Sequence, residues 1–134
     1  MAKGLPMNLL LDTCALLALA GQVGKLSRKA AAGLATASSV CVSTVSAWEI
    51  GIKCKSGKIR LACPAEDWFR NSLLRYELRE IKLSASLLCH AADLPLIHRD
   101  PFDRVLIATA LEENLVILTS DRIIPTYPGI RVAR

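Results

Sequence analysis

The chain has 134 residues, 52% of them hydrophobic, enough for one domain with a real core and too apolar for intrinsic disorder. Seventeen basic against twelve acidic residues leave a net charge of +5, which permits a nucleic-acid partner without requiring one. Five cysteines (Cys14, Cys41, Cys54, Cys63 and Cys89) are odd in number and show no C-x-x-C spacing, which argues against a disulfide framework or a zinc site and for reduced thiols in the cytoplasm.

One domain is expected over residues 1–134, with 1–6 as a short N-terminal extension. Asn8–Leu11 reads as a buried strand, and the Ala- and Leu-rich residues 13–20 as a helix. Ser27 caps a second helix over residues 28–37. Ser39–Ser43 is short and β-branched, a second strand. A helix over Thr44–Lys55 stops near Gly57. Pro64 opens a helix running to about Tyr76, with Glu66 and Asp67 favourable to its dipole. Residues 78–83 alternate as a third strand, and Ser84 caps a helix over 85–92. Asp100 as N-cap and Pro101 at the first position begin a strong helix through Glu113. Residues 115–119 form a fourth strand and 130–132 an edge strand. No apolar run reaches the roughly 18 residues of a membrane span, and Asp12 interrupts the segment most like a signal peptide. Strands alternating with helices imply an α/β fold, a parallel sheet of four to five strands covered on both faces.

Four acids stand out because three strand-like runs lead into an acid and a fourth acid opens a helix. Asp12 follows Leu9-Leu10-Leu11; Glu49 follows the second strand; Asp121 follows the fourth; Asp103 lies in the first turn after Pro101. Each has an ordinary structural explanation. Asp12 suits a helix N-cap. Glu49 fits a capping box with Ser46 and an ion pair with Lys53. Asp103 interacts with a helix dipole, and Asp121 begins a turn. Jointly they fall where a parallel sheet binds ligands, outside the carboxyl ends of its strands. Acids gathered there repel one another, and a hard divalent cation with oxygen ligands relieves the repulsion.

The runs Leu9-Leu10-Leu11-Asp12-Thr13, Ser43-Thr44-Val45-Ser46-Ala47-Trp48-Glu49-Ile50, His98-Arg99-Asp100-Pro101-Phe102-Asp103-Arg104 and Leu118-Thr119-Ser120-Asp121, in this order, resemble a PIN domain, and within it the VapC-type toxins of toxin–antitoxin pairs. The resemblance covers essentially the whole chain. It implies a three-layer fold and a Mg²⁺- or Mn²⁺-dependent endoribonuclease. Asp12 and Asp103 would be the principal ligands, with Glu49 and Asp121 acting through water or a second metal. Thr119 and Ser120 would support them. It further implies a small antitoxin lying across the acidic groove, and a homodimer, for which residues 16–20 and 30–34 carry surplus apolar side chains. A PIN nuclease of RNA maturation and a non-catalytic RNA- or protein-binding module are the alternatives.

Lys53, Lys55, Lys58 and Arg60 form an acid-free basic stretch after Glu49, suited either to RNA phosphates or to a solvated face. Arg104 is placed to hold a phosphate or pair with an acid. His90 and His98 are candidates for acid–base work, but His98 is expected to support its loop and His90 to be an ordinary helix residue. Trp48 and Ile52 are expected in the core, and Cys14 is expected to pack. Asp12-Thr13-Cys14 lacks the Asp-x-Asp of phosphotransferases that use an Asp nucleophile.

Overall fold

The computed structural model describes residues 7–134; the expected extension over 1–6 lies outside them. The strands are β1 (Asn8–Leu11), β2 (Ser39–Ser43), β3 (Arg79–Ile81), β4 (Val116–Leu118) and β5 (Val132–Ala133). The helices are α1 (Thr13–Leu19), α2 (Arg28–Thr36), α3 (Thr44–Lys55), α4 (Ala65–Arg75), α5 (Ala85–Asp93) and α6 (Pro101–Glu113), with a 3-10 turn at Ile124–Thr126. All strand pairings are parallel, in the order β3-β2-β1-β4-β5.

Period-two alternation divides the strands between two cores. Leu10, Cys41 and Ile117 face a layer containing Leu87 of α5 and Leu106 and Ile107 of α6. Leu11, Val42 and Leu118 face the opposite layer, with Leu16, Ile50 and Trp68. This is the expected α/β architecture, with five parallel strands and helices on both faces.

Local differences have local causes. β3 is shorter than expected because its partner β2 ends at Ser43, paired with Ile81, and the chain turns there into α3. β5 shifts to Val132–Ala133, where its register with Ile117 and Leu118 completes the edge. Gly57 adopts φ 79° just past α3, the left-handed conformation expected of a residue ending a helix. Trp48 and Ile52 are not in the core: at 64% and 43% exposed they lie on the outer face of α3, while Val45 and Ile50 supply its buried face. Among the described residues no helix is long and apolar enough to cross a membrane.

Candidate active site

The carboxyl end of β1 delivers Asp12. Its amide donates to the Leu118 carbonyl, continuing the β1–β4 ladder, and its Oδ1 accepts the Ala15 amide at 2.7 Å. The expected N-cap is therefore present, but on a buried carboxylate. Burial pushes the Asp12 pKa above its usual range; the Thr119 hydroxyl and Ala15 amide oppose this, while Glu49 and Asp121 add to it.

Asp100 caps α6 by accepting the Phe102 amide at 2.9 Å. That leaves Asp103, one turn in, free for another role. Its carboxyl is pushed up to about 7, first by burial and then by Asp100; His98 opposes this, and Asp121 and Glu49 add to it. Asp121 follows β4, where Thr119 Oγ1 accepts its amide at 2.9 Å. Its Oδ1 accepts the Ile123 and Ile124 amides at 2.7 and 3.0 Å. Burial alone would raise its pKa, but those two amides and His98 hold it below the usual range.

Glu49 reaches the site from α3. Its Oε1 accepts the Thr13 hydroxyl from α1, and its Oε2 lies 3.6 Å from Lys53 Nζ. The i,i+4 pair forms as expected. The capping box does not, because Ser43 is the N-cap of α3 and Ser46 instead shares a 3.0 Å hydrogen bond with Thr13.

Among the described residues one tight cluster includes His98, which the sequence offered for acid–base work or loop support but not among the metal ligands. Ligand-capable atoms of His98, Asp103 and Asp121 lie within 4.8 Å of one another. Asp12 and Glu49 stand outside this triplet but are electrostatically coupled to it. Two carboxyls raised by burial and by neighbouring carboxylates, beside a third held below its usual range, are an arrangement that a hard cation would stabilise. In sequence the signal for His98 was its place two residues before the N-cap, in the stretch that carries the family resemblance.

Other expected residues divide. Thr119 touches the acids as expected, whereas Ser120 is exposed and lines the neighbouring groove. Lys55, Lys58 and Arg60 are exposed; Lys53 is drawn towards Glu49. Arg104 is neither a phosphate anchor nor an acid's partner. It is 8% exposed, and its guanidinium donates to the carbonyls of Ala91, Ala92, Leu94 and Pro95. The reason is geometric: the last turn of α5, at Ala91 and Ala92, and the residues just past it, Leu94 and Pro95, present carbonyls that a forked five-donor group satisfies. His90 pairs with Glu112 at 2.8 Å. Cys14 is exposed rather than packed; desolvation, then Asp12, pushes its thiol upward, opposite to an activated nucleophile.

Beside Asp12 runs an apolar groove of about 330 Å³, walled by Leu17, Ala18, Val23, Leu26 and Ile59. Thr119, Ser120 and Lys53 line it as well, so it opens onto the acidic end of the sheet.

A family model for the PIN domain matches residues 9–129. Ribonuclease VapC22 of Mycobacterium tuberculosis (strain ATCC 25618 / H37Rv) is 29% identical over 99 residues, covering 73% of this chain and 75% of that protein. Among solved structures, a toxin–antitoxin complex from Klebsiella pneumoniae aligns over 93% of this chain and 95% of the other, with TM-score 0.65 and 20% identity. DNA-bound VapBC from Salmonella typhimurium aligns over 95% and 97%, with TM-score 0.67 and 17% identity. At these identities the two structures establish a shared fold.

Proposed function

The chain belongs to the PIN domain family, and on that premise we propose that it is a metal-dependent endoribonuclease of the VapC type, the toxin of a toxin–antitoxin pair. The observation that carries this reading is the convergence of Asp103 and Asp121 beside Asp12 and Glu49 at the carboxyl edge of a parallel sheet. The similarity to a VapC ribonuclease supports the choice of RNA as substrate.

Asp103, Asp121, Asp12 and Glu49 offer only oxygen ligands, the donor set of Mg²⁺ or Mn²⁺. Such an ion, when bound, acidifies water and neutralises charge developing on the phosphoryl oxygens. The chain's own residues do the rest. A cluster carboxylate accepts the proton of the attacking water. The new water-oxygen–phosphorus bond forms as the phosphorus–O3′ bond breaks, giving a 5′-phosphate and, after protonation, a 3′-hydroxyl. Thr13 and Lys53 hold Glu49 towards the centre. Exposed Lys55, Lys58 and Arg60, farther along α3 and its following turn, track the RNA phosphates.

The apolar groove beside Asp12 fits an antitoxin segment that reaches the acids from the side of α1 and α2. For a homodimer, the exposed Trp48 and Ile52 face is better suited than residues 16–20, because Leu16 and Leu17 are already buried. A toxin with these partners works in the cytoplasm.

The test is cleavage of a mixed RNA pool by the purified protein with Mn²⁺ or Mg²⁺, with chelator, and with Asp103→Asn and Asp12→Asn. Cleavage that needs the ion and both acids supports the reading. Cleavage indifferent to either substitution would place the chemistry elsewhere.

A further inference from the structure

The carboxylates of Asp103 and Asp121 meet through a third side chain. His98 Nε2 lies 3.0 Å from Asp103 Oδ2 and 3.1 Å from Asp121 Oδ2. The other ring nitrogen, Nδ1, accepts the Asp100 amide at 3.2 Å. A backbone amide only donates, so Nδ1 carries no proton and the ring proton is on Nε2, facing both carboxylates. A protonated ring nitrogen has no lone pair to offer a cation.

We propose that His98 is a positioning residue: as an Nε2–H donor it holds Asp103 and Asp121 converged on one point, and it does not itself ligate a metal. The part of this inference that concerns a cation rests on the nuclease reading above; the hydrogen-bond arrangement does not.

Two buried side chains hold His98 in place. The His98 amide donates to the Tyr127 hydroxyl at 2.7 Å, and that hydroxyl donates to the Pro95 carbonyl at 2.9 Å. Arg104 Nη1 donates to the same carbonyl at 3.0 Å. Tyr127 and Arg104 are 3% and 8% exposed, so water does not compete freely for these bonds. Tyr127 also follows the turn that starts at Asp121, whose Oδ1 is occupied by the Ile123 and Ile124 amides. Only Oδ2 is left for His98. The segment that presents Asp121 thus clasps the loop that presents His98, and α6, which follows that loop, presents Asp103.

The first test uses unaltered, metal-free protein. A ¹⁵N–¹H spectrum of its imidazoles should show His98 protonated at Nε2; protonation at Nδ1 would overturn the proposal. The second measures Mn²⁺ affinity by electron paramagnetic resonance. Removing a group that orients ligands weakens metal binding about 10–100-fold, the loss expected for His98→Ala. His98→Gln keeps an N–H donor and should recover most of it, and Tyr127→Phe should fall between. Unchanged or tighter binding by His98→Ala, or a directly bound ¹⁴N signal in unaltered protein, would overturn the proposal. Absence of any Mn²⁺ binding by unaltered protein would count against the nuclease reading, while the imidazole spectrum would still decide the state of His98.

Discussion

Asp103 Oδ2 lies 3.0 Å from His98 Nε2, yet this contact does not keep the Asp103 carboxyl in its usual range. Burial, then Asp100, raises it from 3.8 to about 7. Between those values the folded chain holds a proton that the unfolded chain has released. Asp103 alone should therefore make the ion-free protein lose stability as pH rises from about 4 to about 7, by at most about 1.4 kcal/mol per unit, and level off above. Asp12, also raised, acts in the same direction. Asp121, held low, acts at the acid end: its contribution is present above its ordinary value of 3.8 and is lost as pH falls through its folded value. Thermal melts in chelator should show the decline, and Asp103→Asn should remove most of it. A midpoint climbing steadily through this window would contradict a raised Asp103.

A divalent cation should reverse that loss. Protons and the ion compete for the same carboxylates, so Mn²⁺ should raise the melting temperature more at pH 8 than at pH 5. At a hundredfold excess over its dissociation constant, a ligand adds about 2.7 kcal/mol, a shift of several degrees. Asp103→Asn and Asp121→Asn should each abolish it. Glu49→Gln should only reduce it, since Glu49 is already engaged by Thr13 and Lys53. A shift that survives both Asp substitutions would locate the ion elsewhere.

How much of this site could be read in advance follows from the range of the forces involved. The positions of Asp12, Asp100 and Asp103 depend on local rules, a strand end, a cap and a first helical turn, and the sequence carries those. The role of His98 depends on Tyr127, which follows it by 29 residues and whose hydroxyl fixes the His98 backbone. No local pattern encodes that contact. Arg104 misled for a related reason. A charged side chain beside an acid reads as surface or ion pair, but here the turned-in carbonyls of residues 91–95 form a site for a guanidinium. Trp48 misled through its residue type, because apolar identity alone does not say which face of α3 is covered.

Arg104 yields a prediction of its own. Lysine keeps the charge but cannot satisfy four carbonyls in a fixed fork. Leaving several buried acceptors unpaired should cost about 2–4 kcal/mol in Arg104→Lys, measured by urea unfolding. RNA affinity of the folded variant at low temperature should stay near that of the unaltered protein. A stable variant with weakened, less salt-sensitive RNA binding would instead restore Arg104 as a phosphate contact.

The basic stretch makes the opposite demand. Lys55 and Lys58 are exposed at the end of α3 and in the following turn, so their neutralisation should leave stability almost unchanged. If both neutralise RNA phosphates, Lys55→Gln with Lys58→Gln should reduce the slope of log affinity against log salt by about 1.4, taking roughly 0.7 per single-strand phosphate contact. The affinity loss should be nearly uniform across RNA sequences, because phosphate contacts do not read bases. Filter binding at several salt concentrations, with Asp103→Asn in every protein to prevent cleavage, gives the slope directly. An unchanged slope would mean that these lysines form a solvated face and that the RNA leaves the acidic cluster by another route.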